Sequence, residues 1–345
     1  MRSGSSRRRR TRARSSRVWR LLDLGRCDPL RAVAFSEAVA PFVASGKVPN
    51  TLMFARADSP CICVGFHQSP KTELDPEFVH RHRMPVIRRV EGGGTVYLDR
   101  DQLFYQFVYS GTGGSGGPGD FARYLGAIVG AARSLGLPAE LRRPSDIVVR
   151  GRKISGNAGG EWEDAQIITG DVLGRTNVRA MAGALRLPHP ALRPLLEREM
   201  ARQMTSWELE TGGYPEWEDL MRAIVDAFAA QGLGPIAAGR PTREEETRFR
   251  SETVPRHRDA SWGQPDTSPI RPGTPERKIR IAGPHGLVVF ADPTGPGYLV
   301  AVAEGPRLVA GYRLGLEPSS PLRPLPSLTQ RPLKSRVIPP APAGA

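Results

Sequence analysis

Apolar positions change from one spacing to another along the first 230 residues, and these changes mark the predicted elements. Apolar side chains recur at helical spacing at Ala32, Phe35, Val39 and Val43, which predicts a helix. Short runs rich in β-branched and aromatic residues predict strands. The predicted helices are residues 29–45, 75–83, 121–135, 177–187, 190–203 and 216–231, and the predicted strands are residues 18–24, 51–55, 61–66, 86–89, 95–97, 102–109, 147–149, 153–156 and 166–173. The alternation predicts an α/β or α+β domain, with α+β preferred: a mixed β-sheet flanked by helices.

Segments of biased composition divide the rest of the chain. Residues 232–276 are polar and rich in proline and arginine, which predicts a boundary. Residues 279–312 read as short strands between Pro-Gly turns, so we expect a small β-rich C-terminal unit. We therefore predict a disordered arm (1–20), a catalytic domain (21–240), a linker with the accessory unit (241–315) and a disordered, proline-rich tail (316–345). The glycine-dense residues 111–119 form either a lid or a linker.

The net charge of +14 is concentrated at the two ends of the chain. Residues 1–20 contain nine arginines and no acidic residue, and the last 25 residues contain four basic residues and no acid. Removing these charges leaves +1 for residues 21–320, so nucleic-acid binding is not expected of the body. The arm itself is a solvated end or an over-extended gene start, a weak contact for acidic partners or nucleic acid, or an organelle transit peptide.

Other composition features exclude several protein classes. The chain has no apolar run long enough to span a membrane and no apolar segment typical of a secretory signal, so we expect a cytoplasmic protein with no membrane partner. Cys27, Cys61 and Cys63 are too few and too irregular for a disulfide framework or a zinc site, which predicts buried core thiols. The six histidines show no metal-ligand spacing.

Two basic, glycine-rich segments carry the most specific chemical signal. Arg88-Arg89-Val90-Glu91-Gly92-Gly93-Gly94-Thr95-Val96-Tyr97 joins two arginines to three glycines. Arginine presents a fork of donors to phosphate or carboxylate, and glycines let backbone N–H groups approach a ligand closely. The second segment, Gly151-Arg152-Lys153-Ile154-Ser155-Gly156-Asn157-Ala158, places one lysine between small residues after the apolar run 147–149. Together they predict a pocket for an anionic ligand.

These segments, in this order, resemble the lipoate-protein ligase family, whose catalytic fold is shared with biotin ligases and octanoyltransferases. Residues 60–70, with Gly65-Phe66-His67-Gln68, look like the family's strand and Gly-x-x-Gln segment, which lines the acyl pocket. Ile168-Thr169-Gly170-Asp171-Val172-Leu173 matches the position of its His-Gly-x-Leu-Leu strand. The resemblance spans about residues 20–230.

The resemblance implies an ATP-dependent ligase that activates lipoate or octanoate as an acyl-adenylate. The acyl group then passes to a lysine of a lipoyl carrier domain, of the 2-oxoacid dehydrogenase E2 or glycine cleavage H protein type. Lys153 is the implied catalytic cation, and Asp146 holds Mg²⁺ or orients Lys153. The implied substrate- and nucleotide-binding residues are Gly65, His67, Gln68, Arg88, Arg89, Gly92, Gly93, Gly94, Thr95, Tyr97, Gly156, Asn157, Ala158 and Gly170.

Three residues depart from the family pattern and bear on activity. Glu91 stands where Ser or Thr is usual, and a carboxylate about 4 Å from a phosphate would repel it by about 4 kcal/mol at an effective dielectric constant of 20. Glu91 either pairs with Arg89, which lies on the same side of an extended strand, or reaches the metal. Leu98 and Thr169 each stand where the family commonly has His. These changes support an alternative: a non-catalytic module that binds the acyl-adenylate or the lipoyl domain.

The positions of the cysteines bear on a second alternative, a lipoyl or octanoyl transferase. Relatives that take octanoyl groups from acyl carrier protein use a nucleophilic cysteine well C-terminal to the glycine run. Every cysteine of this chain lies at or before position 63. The sequence therefore favours the ATP-driven ligase.

Overall fold

The computed structural model describes residues 18–111, 118–142, 144–262, 277–282, 285–291, 297–304, 307–315 and 321–325. The predicted arm lies outside these residues up to position 17, as do most of the loop 111–119 and most of the tail. The strands, in chain order, are β1 Trp19–Cys27, β2 Thr51–Ala57, β3 Cys61–Val64, β4 Val86–Arg88, β5 Val96–Leu98, β6 Gln102–Ser110, β7 Ala139–Arg142, β8 Asp146–Val149, β9 Arg152–Ser155, β10 Asn157–Trp162, β11 Ala165–Leu173, β12 Ile236–Ala238, β13 Arg277–Ala282, β14 His285–Ala291, β15 Gly297–Glu304, β16 Arg307–Gly315 and β17 Arg323–Pro324.

Helices connect these strands and cover both faces of the main sheet. The α-helices are α1 Pro29–Ala44, α2 Pro70–Glu73, α3 Pro76–Arg81, α4 Pro118–Ser134, α5 Val178–Ala184, α6 Arg193–Gln203, α7 Trp207–Thr211, α8 Trp217–Ala230, α9 Arg243–Arg248 and α10 Val254–Arg258. A 3₁₀ turn, Pro190–Leu192, precedes α6, and a π-helical turn, Phe249–Thr253, joins α9 to α10. None of the helices in the described ranges is long and apolar enough to cross a membrane.

The main sheet has six strands in the order β10-β11-β6-β2-β1-β12. Strand β1 is parallel to β2 and β12, whereas β6 is antiparallel to β2 and β11, so the predicted mixed sheet is confirmed. Side chains alternate between its faces because a strand has a period of two. Phe107 of β6 packs among Trp19, Tyr124 and Phe228 under α4 and α8, whereas Val108 lies in the cluster under α1.

Two three-stranded sheets beside the main sheet carry the motifs found in the sequence. One has the order β4-β3-β5 and brings the segment that starts at Gly65 next to β4, whose last residue is Arg88. The other has the order β7-β8-β9 and carries Asp146 and Lys153 on neighbouring strands. The fold therefore brings together two motifs that are distant in the sequence.

The predicted β-rich C-terminal unit is confirmed as a five-stranded antiparallel sheet, β13 to β17. Its apolar side chains, including Ile279 and Ile281, join the same core cluster as Met200 of α6. The structure also shows elements that the sequence pattern did not predict, namely α2, α7, α9, α10, β7, β10, β12 and β17, the last of which lies in the segment predicted to be a disordered tail. Helices α9 and α10 lie in the polar segment that was predicted to be a boundary. The sequence did not predict them because long-range ion pairs, rather than apolar side chains at helical spacing, hold them in place. Arg20 and Glu245, for example, form a buried pair at 2.6 Å.

Candidate active site

A cavity of about 1060 Å³ lies between the two small sheets. Its wall contains twelve of the residues predicted for the site: Gln68, Arg89, Gly93, Gly94, Thr95, Tyr97, Asp146, Lys153, Gly156, Asn157, Ala158 and Gly170. Gly65, Gly92, Arg88 and His67 are not part of the wall. The structure thus brings most of the predicted set to one place, and their roles in binding remain predictions.

The triple-glycine turn rests directly against Gly65 at the end of β3. A Cβ atom on Gly65 would lie 2.2 Å from the carbonyl oxygen of Gly93, a distance that no real Cβ contact allows. Gly93 has φ +88°, a left-handed conformation that favours glycine. The two segments can therefore meet only without side chains, and Gly93 and Gly94 of the turn form one corner of the cavity wall.

Arg89 holds this turn in shape through its side chain. Its Nη2 donates to the carbonyl oxygens of Gly92 (2.6 Å) and Gly94 (2.8 Å), and its Nη1 lies 3.4 Å from the carbonyl oxygen of Cys63. Charged donors make stronger hydrogen bonds to carbonyls than neutral ones do. Arg89 is thus a structural clamp for the glycine turn and also presents positive charge at the cavity wall.

Arg88 and His67 are directed elsewhere. Because neighbours on a strand face opposite sides, the Arg88 side chain lies on the face away from Arg89. Its Nε donates to the main-chain oxygen of Trp262 (2.6 Å), and its Nη1 to the oxygen of Phe66 (2.5 Å). His67 is exposed and its ring lies beside Phe66.

Gln68 ties the glycine corner to β5. Its Oε1 accepts from the backbone N–H of Gly65 (3.1 Å) and from the hydroxyl of Thr95 (3.0 Å). Both bonds use the carbonyl end of the amide. The predicted Gly-x-x-Gln segment therefore closes on itself and on the strand after the glycines.

Lys153 and Asp146 form an ion pair on the opposite wall. Lys153 Nζ lies 2.8 Å from Asp146 Oδ1, and Arg142 Nη2 donates to Asp146 Oδ2 at 3.2 Å. Burial raises the pKa of Asp146, but the charges and hydrogen bonds of Lys153 and Arg142 outweigh it, and the pKa lies below its usual range. The carboxylate therefore stays ionised and orients the lysine amine into the cavity.

The described residues include no group of three or more His, Cys, Asp or Glu side chains that could hold a metal by themselves. Both oxygens of Asp146 already contact cationic side chains. This carboxylate is therefore engaged as the partner of Lys153 and Arg142, and its alternative role as a metal ligand remains a prediction.

Asp171 is a cavity residue to which the sequence analysis gave no role. Its Oδ1 accepts from the backbone N–H of Gly156 at 3.1 Å, and burial raises its pKa to about 6 although Lys153 lowers it. A Cβ on Gly156 would lie 2.9 Å from Lys153 Nζ, so the glycine leaves room for the amine. The sequence signal that could have identified Asp171 was its position next to Gly170 on β11.

Tyr105 and Asn157 fix the floor between the lysine strand and β11. The Tyr105 hydroxyl donates to Asn157 Oδ1 and lies 3.1 Å from Ser155 Oγ, and Asn157 Nδ2 donates to the oxygen of Ser145 at 2.7 Å. A Cβ on Gly170 would lie 1.9 Å from Asn157 Oδ1. The glycine is therefore required for this network to form.

Glu91 does not enter the cavity, so it does not place a carboxylate at the predicted phosphate site. Its side chain is 1% exposed, and one carboxylate oxygen, Oε1, has no hydrogen-bond partner within the described residues. Arg89 directs its hydrogen bonds to carbonyl oxygens and Cys63 rather than forming the expected pair. A Cβ on Gly160 would lie 3.0 Å from Glu91 Cα, so the glycine pair 159–160 makes room for this strand.

Burial raises the pKa of Glu91 to about 7, although the charge of Arg89 lowers it. Because this folded-state pKa lies above the unfolded one, Glu91 contributes stability below pH 4.5 that is lost as the pH rises through 7. We expect Glu91→Gln to match the wild type at pH 4 and to be more stable by about 3 kcal/mol at pH 8.5. Urea unfolding at both pH values measures this difference.

The exposed Glu218→Gln variant is the control, since its side chain is 64% exposed, and it should show no such change. A Glu91→Gln stability difference that is the same at both pH values would contradict the proposed titration of the buried carboxyl group.

Comparison with known proteins places this cavity in a family. Residues 28–229 match the model of the lipoyl protein ligase A/B catalytic domain. The chain belongs to this family. The match contains β2 to β11 and therefore both small sheets, the glycine turn and Lys153. The family includes lipoate ligases and octanoyltransferases, so the fold and the enzyme family are those that the sequence motifs predicted.

Individual relatives of this lipoyl ligase-family chain include both enzyme types. It is 26% identical over 237 residues to octanoyltransferase LipM of Geobacillus kaustophilus, covering 61% of this chain and 85% of that protein. It is 38% identical over 101 residues to lipoate-protein ligase LplJ of Bacillus subtilis, covering 29% of this chain and 30% of that protein. The first match is longer and the second is closer in sequence.

Solved structures share the fold. A bipartite lipoate protein ligase from Thermoplasma acidophilum, described with its E2 lipoyl domain, superposes with a TM-score of 0.66 at 22% identity, covering 73% of this chain and 99% of that chain. A lipoate-protein ligase A bound with ATP superposes with a TM-score of 0.61 at 21% identity, covering 71% and 98%. At these identities the likeness establishes the α+β fold.

Proposed function

We propose that the chain is an ATP-dependent lipoate-protein ligase that activates lipoate or octanoate and transfers it to a lysine of a lipoyl carrier domain. The single observation that carries this proposal is the Lys153–Asp146 ion pair, which lies on the wall of the same cavity as the glycine turn held by Arg89. Cationic groups and backbone donors facing one cavity are what an adenylation site requires.

In the first half-reaction, an oxygen of the fatty carboxylate attacks the α-phosphorus of ATP. The bond from the α-phosphorus to the bridging oxygen breaks, and pyrophosphate leaves with its electron pair. Negative charge gathers at the α-phosphate, and the Lys153 ammonium, already held by Asp146, supplies a preorganised positive charge. Related structures support the choice of nucleotide, since one is a lipoate-protein ligase A bound with ATP.

In the second half-reaction, the neutral amine of a carrier lysine attacks the acyl carbon of the adenylate. An amide bond forms, AMP leaves with the electron pair of the acyl–oxygen bond, and the amine loses a proton. Asp171 is a group of the wall with a pKa of about 6 and is a reasonable proton acceptor near neutral pH. A lipoyl domain as the carrier is supported by the Thermoplasma structure that includes one.

The cavity offers apolar wall on two sides of the polar groups. One side, next to the glycine corner, consists of Ile62, Leu98 and Phe104. The other side consists of Met200 and Met204 and lies beside Lys153, because Met204 forms a β-bridge with Lys153. Apolar wall with a few convergent polar groups suits a medium-length acyl chain with a polar head. This supports lipoate or octanoate as the acid.

Octanoyl transfer without ATP is a second candidate, because the similarity to an octanoyltransferase extends over 237 residues and that to a lipoate-protein ligase over 101. That reaction requires a thiol nucleophile. Within the described cavity wall the thiol is Cys63, and burial raises its pKa although Arg89 lowers it. A buried thiol with a raised pKa carries little thiolate at neutral pH, so it is a poor nucleophile.

We therefore expect Cys63→Ala to retain acyl transfer to a lipoyl domain within about threefold of wild type, whereas loss of a catalytic nucleophile costs about 10³-fold or more. The measurement is octanoyl transfer followed by mass spectrometry, with ATP and octanoate or with an octanoyl thioester alone. Cys27→Ala is the matched control. Thioester-driven transfer that depends on Cys63 would favour the transferase.

The main test is exchange of labelled pyrophosphate into ATP in the presence of octanoate or lipoate. Acid-dependent exchange supports the ligase. A folded protein that binds the acid and ATP without exchange would support the non-catalytic module, and transfer that needs no ATP would support the transferase.

A further inference from the structure

A segment beyond the family match packs against the outer side of the glycine corner. It consists of the π-helical turn, α10 and the turn that ends at Trp262, and we call residues 249–262 the strap. The strap begins at Phe249, whose ring lies 5.3 Å from that of Phe35 of α1. The family match ends at residue 229, so this segment is an addition to the part of the chain that the family model describes.

A buried carboxylate anchors the strap to α1. Glu37 is 1% exposed, its carboxylate accepts from Arg256, and its oxygens lie 3.0 and 3.1 Å from His257 Nε2. The Arg256 guanidinium also lies over two indole rings, 4.6 Å from that of Trp162 and 5.4 Å from that of Trp262. Charge pairing and cation–π contact together fix the end of the strap.

Trp262 and Arg88 bind each other in both directions. Arg88 Nε donates to the main-chain oxygen of Trp262 at 2.6 Å, and the Trp262 indole N–H donates to the main-chain oxygen of Arg88 at 3.3 Å. The Trp262 ring also packs edge-on against Phe66. The strap therefore contacts β4, which leads into the glycine turn, and the turn after β3, which packs against the glycine turn.

The same arginine transmits this contact to the turn. Arg88 Nη1 donates to the carbonyl oxygens of Gly65 and Phe66, and Gly65 has no room for even a Cβ against Gly93. The Phe66 N–H donates to the oxygen of Glu91 at 2.9 Å, immediately before the glycines. A shift of Trp262 would thus move the backbone that forms the cavity corner.

We propose that the strap sets the position of the glycine turn and that Trp262 is its positioning residue. The expected change in KM rests on the proposed function, whereas the expected displacement of the glycine turn does not. Trp262 is not one of the residues of the cavity wall, and it acts through Arg88. Misplacement of binding groups by about 1 Å can cost up to about 10²-fold. The effect falls on substrate binding because the turn, rather than Lys153, is displaced.

The test compares Trp262→Ala, Trp262→Phe and the control Arg258→Ala, whose side chain is exposed on the same segment. In octanoate-dependent pyrophosphate exchange, we expect Trp262→Ala to raise the KM for octanoate or ATP by about 10-fold or more with a smaller change in kcat. Trp262→Phe keeps the ring against Phe66 and should restore most of the KM. Arg258→Ala should match the wild type.

Hydrogen exchange supplies a readout that needs no activity. In Trp262→Ala we expect faster exchange at the amides of Phe66, Arg89 and Gly92, which bond to Glu91, Val64 and Gly159, with the main sheet unchanged. Unchanged hydrogen exchange at these amides in Trp262→Ala would overturn the inference. Faster hydrogen exchange across the whole domain in Trp262→Phe would also overturn it. If wild type shows no pyrophosphate exchange, the proposed function fails while local loosening still supports the strap.

Discussion

Replacing Lys153 by alanine is expected to lower octanoate-dependent pyrophosphate exchange by about 10²- to 10³-fold, the usual cost of removing one preorganised transition-state donor. The amine is held 2.8 Å from Asp146 on the cavity wall, so its charge is in place before the reaction starts. Because the charge acts where pyrophosphate leaves, the loss should be in kcat as well as in kcat/KM.

The neighbouring Arg152→Ala variant is the matched control for Lys153→Ala. Arg152 lies on the same strand, but its guanidinium pairs with Glu210 at 2.6 Å on the outer side. We expect it to keep exchange within about threefold of wild type, since Arg152 is not one of the residues of the cavity wall and Arg150 still pairs with Glu210. Thermal unfolding shows whether each variant is folded. Equal exchange in the wild type and in folded Lys153→Ala would remove the lysine from the proposed mechanism.

The sequence predicted which residues line the cavity better than it predicted what holds them in place. Lys153, the glycine turn and Gln68 are local motifs, and their chemistry can be read from residue type and spacing. The mixed sheet and the β-rich C-terminal unit followed from periodicity and turn residues. These features depend on short stretches of chain, so a single sequence contains the information for them.

Features that depend on pairs far apart in the chain could not be predicted in this way. The two arginines looked equivalent in sequence, yet Arg89 clamps the glycine turn while Arg88 faces Trp262, 174 residues away. Their separation follows from strand alternation once β4 is known to end at Arg88. Glu91 was expected to pair with Arg89 or to reach the metal, but burial against the glycines of β10 places it behind the turn instead.

The strap is another feature that the sequence could not predict, because its anchor lies far away in the chain. Its residues are polar and charged, which is typical of a linker, and the partner that anchors it is Glu37, more than 200 residues earlier. A buried carboxylate on an otherwise apolar helix was the available signal, because such a group needs a cationic partner somewhere in the fold. The sequence alone does not identify which arginine it is.

Gly65→Ala is expected to reduce exchange by about 10²-fold, because the added methyl group cannot fit and the turn must move by about 1 Å. The new Cβ would lie 2.2 Å from the Gly93 oxygen and 3.2 Å from Arg89 Nη2, so both the backbone corner and its clamp would be displaced. Forcing a methyl group into a packed site costs about 1–3 kcal/mol of stability, which urea unfolding would measure.

The control for Gly65→Ala is Gly213→Ala, where a Cβ meets no atom within 4 Å and the backbone has no positive φ. This variant should keep both stability and exchange. The KM for octanoate and ATP should rise in Gly65→Ala while Lys153 remains in place, so the defect differs in kind from that of Lys153→Ala. Wild-type KM values in Gly65→Ala would show that the close approach of Gly65 to Gly93 has no part in binding, and the glycine corner would then be only a turn.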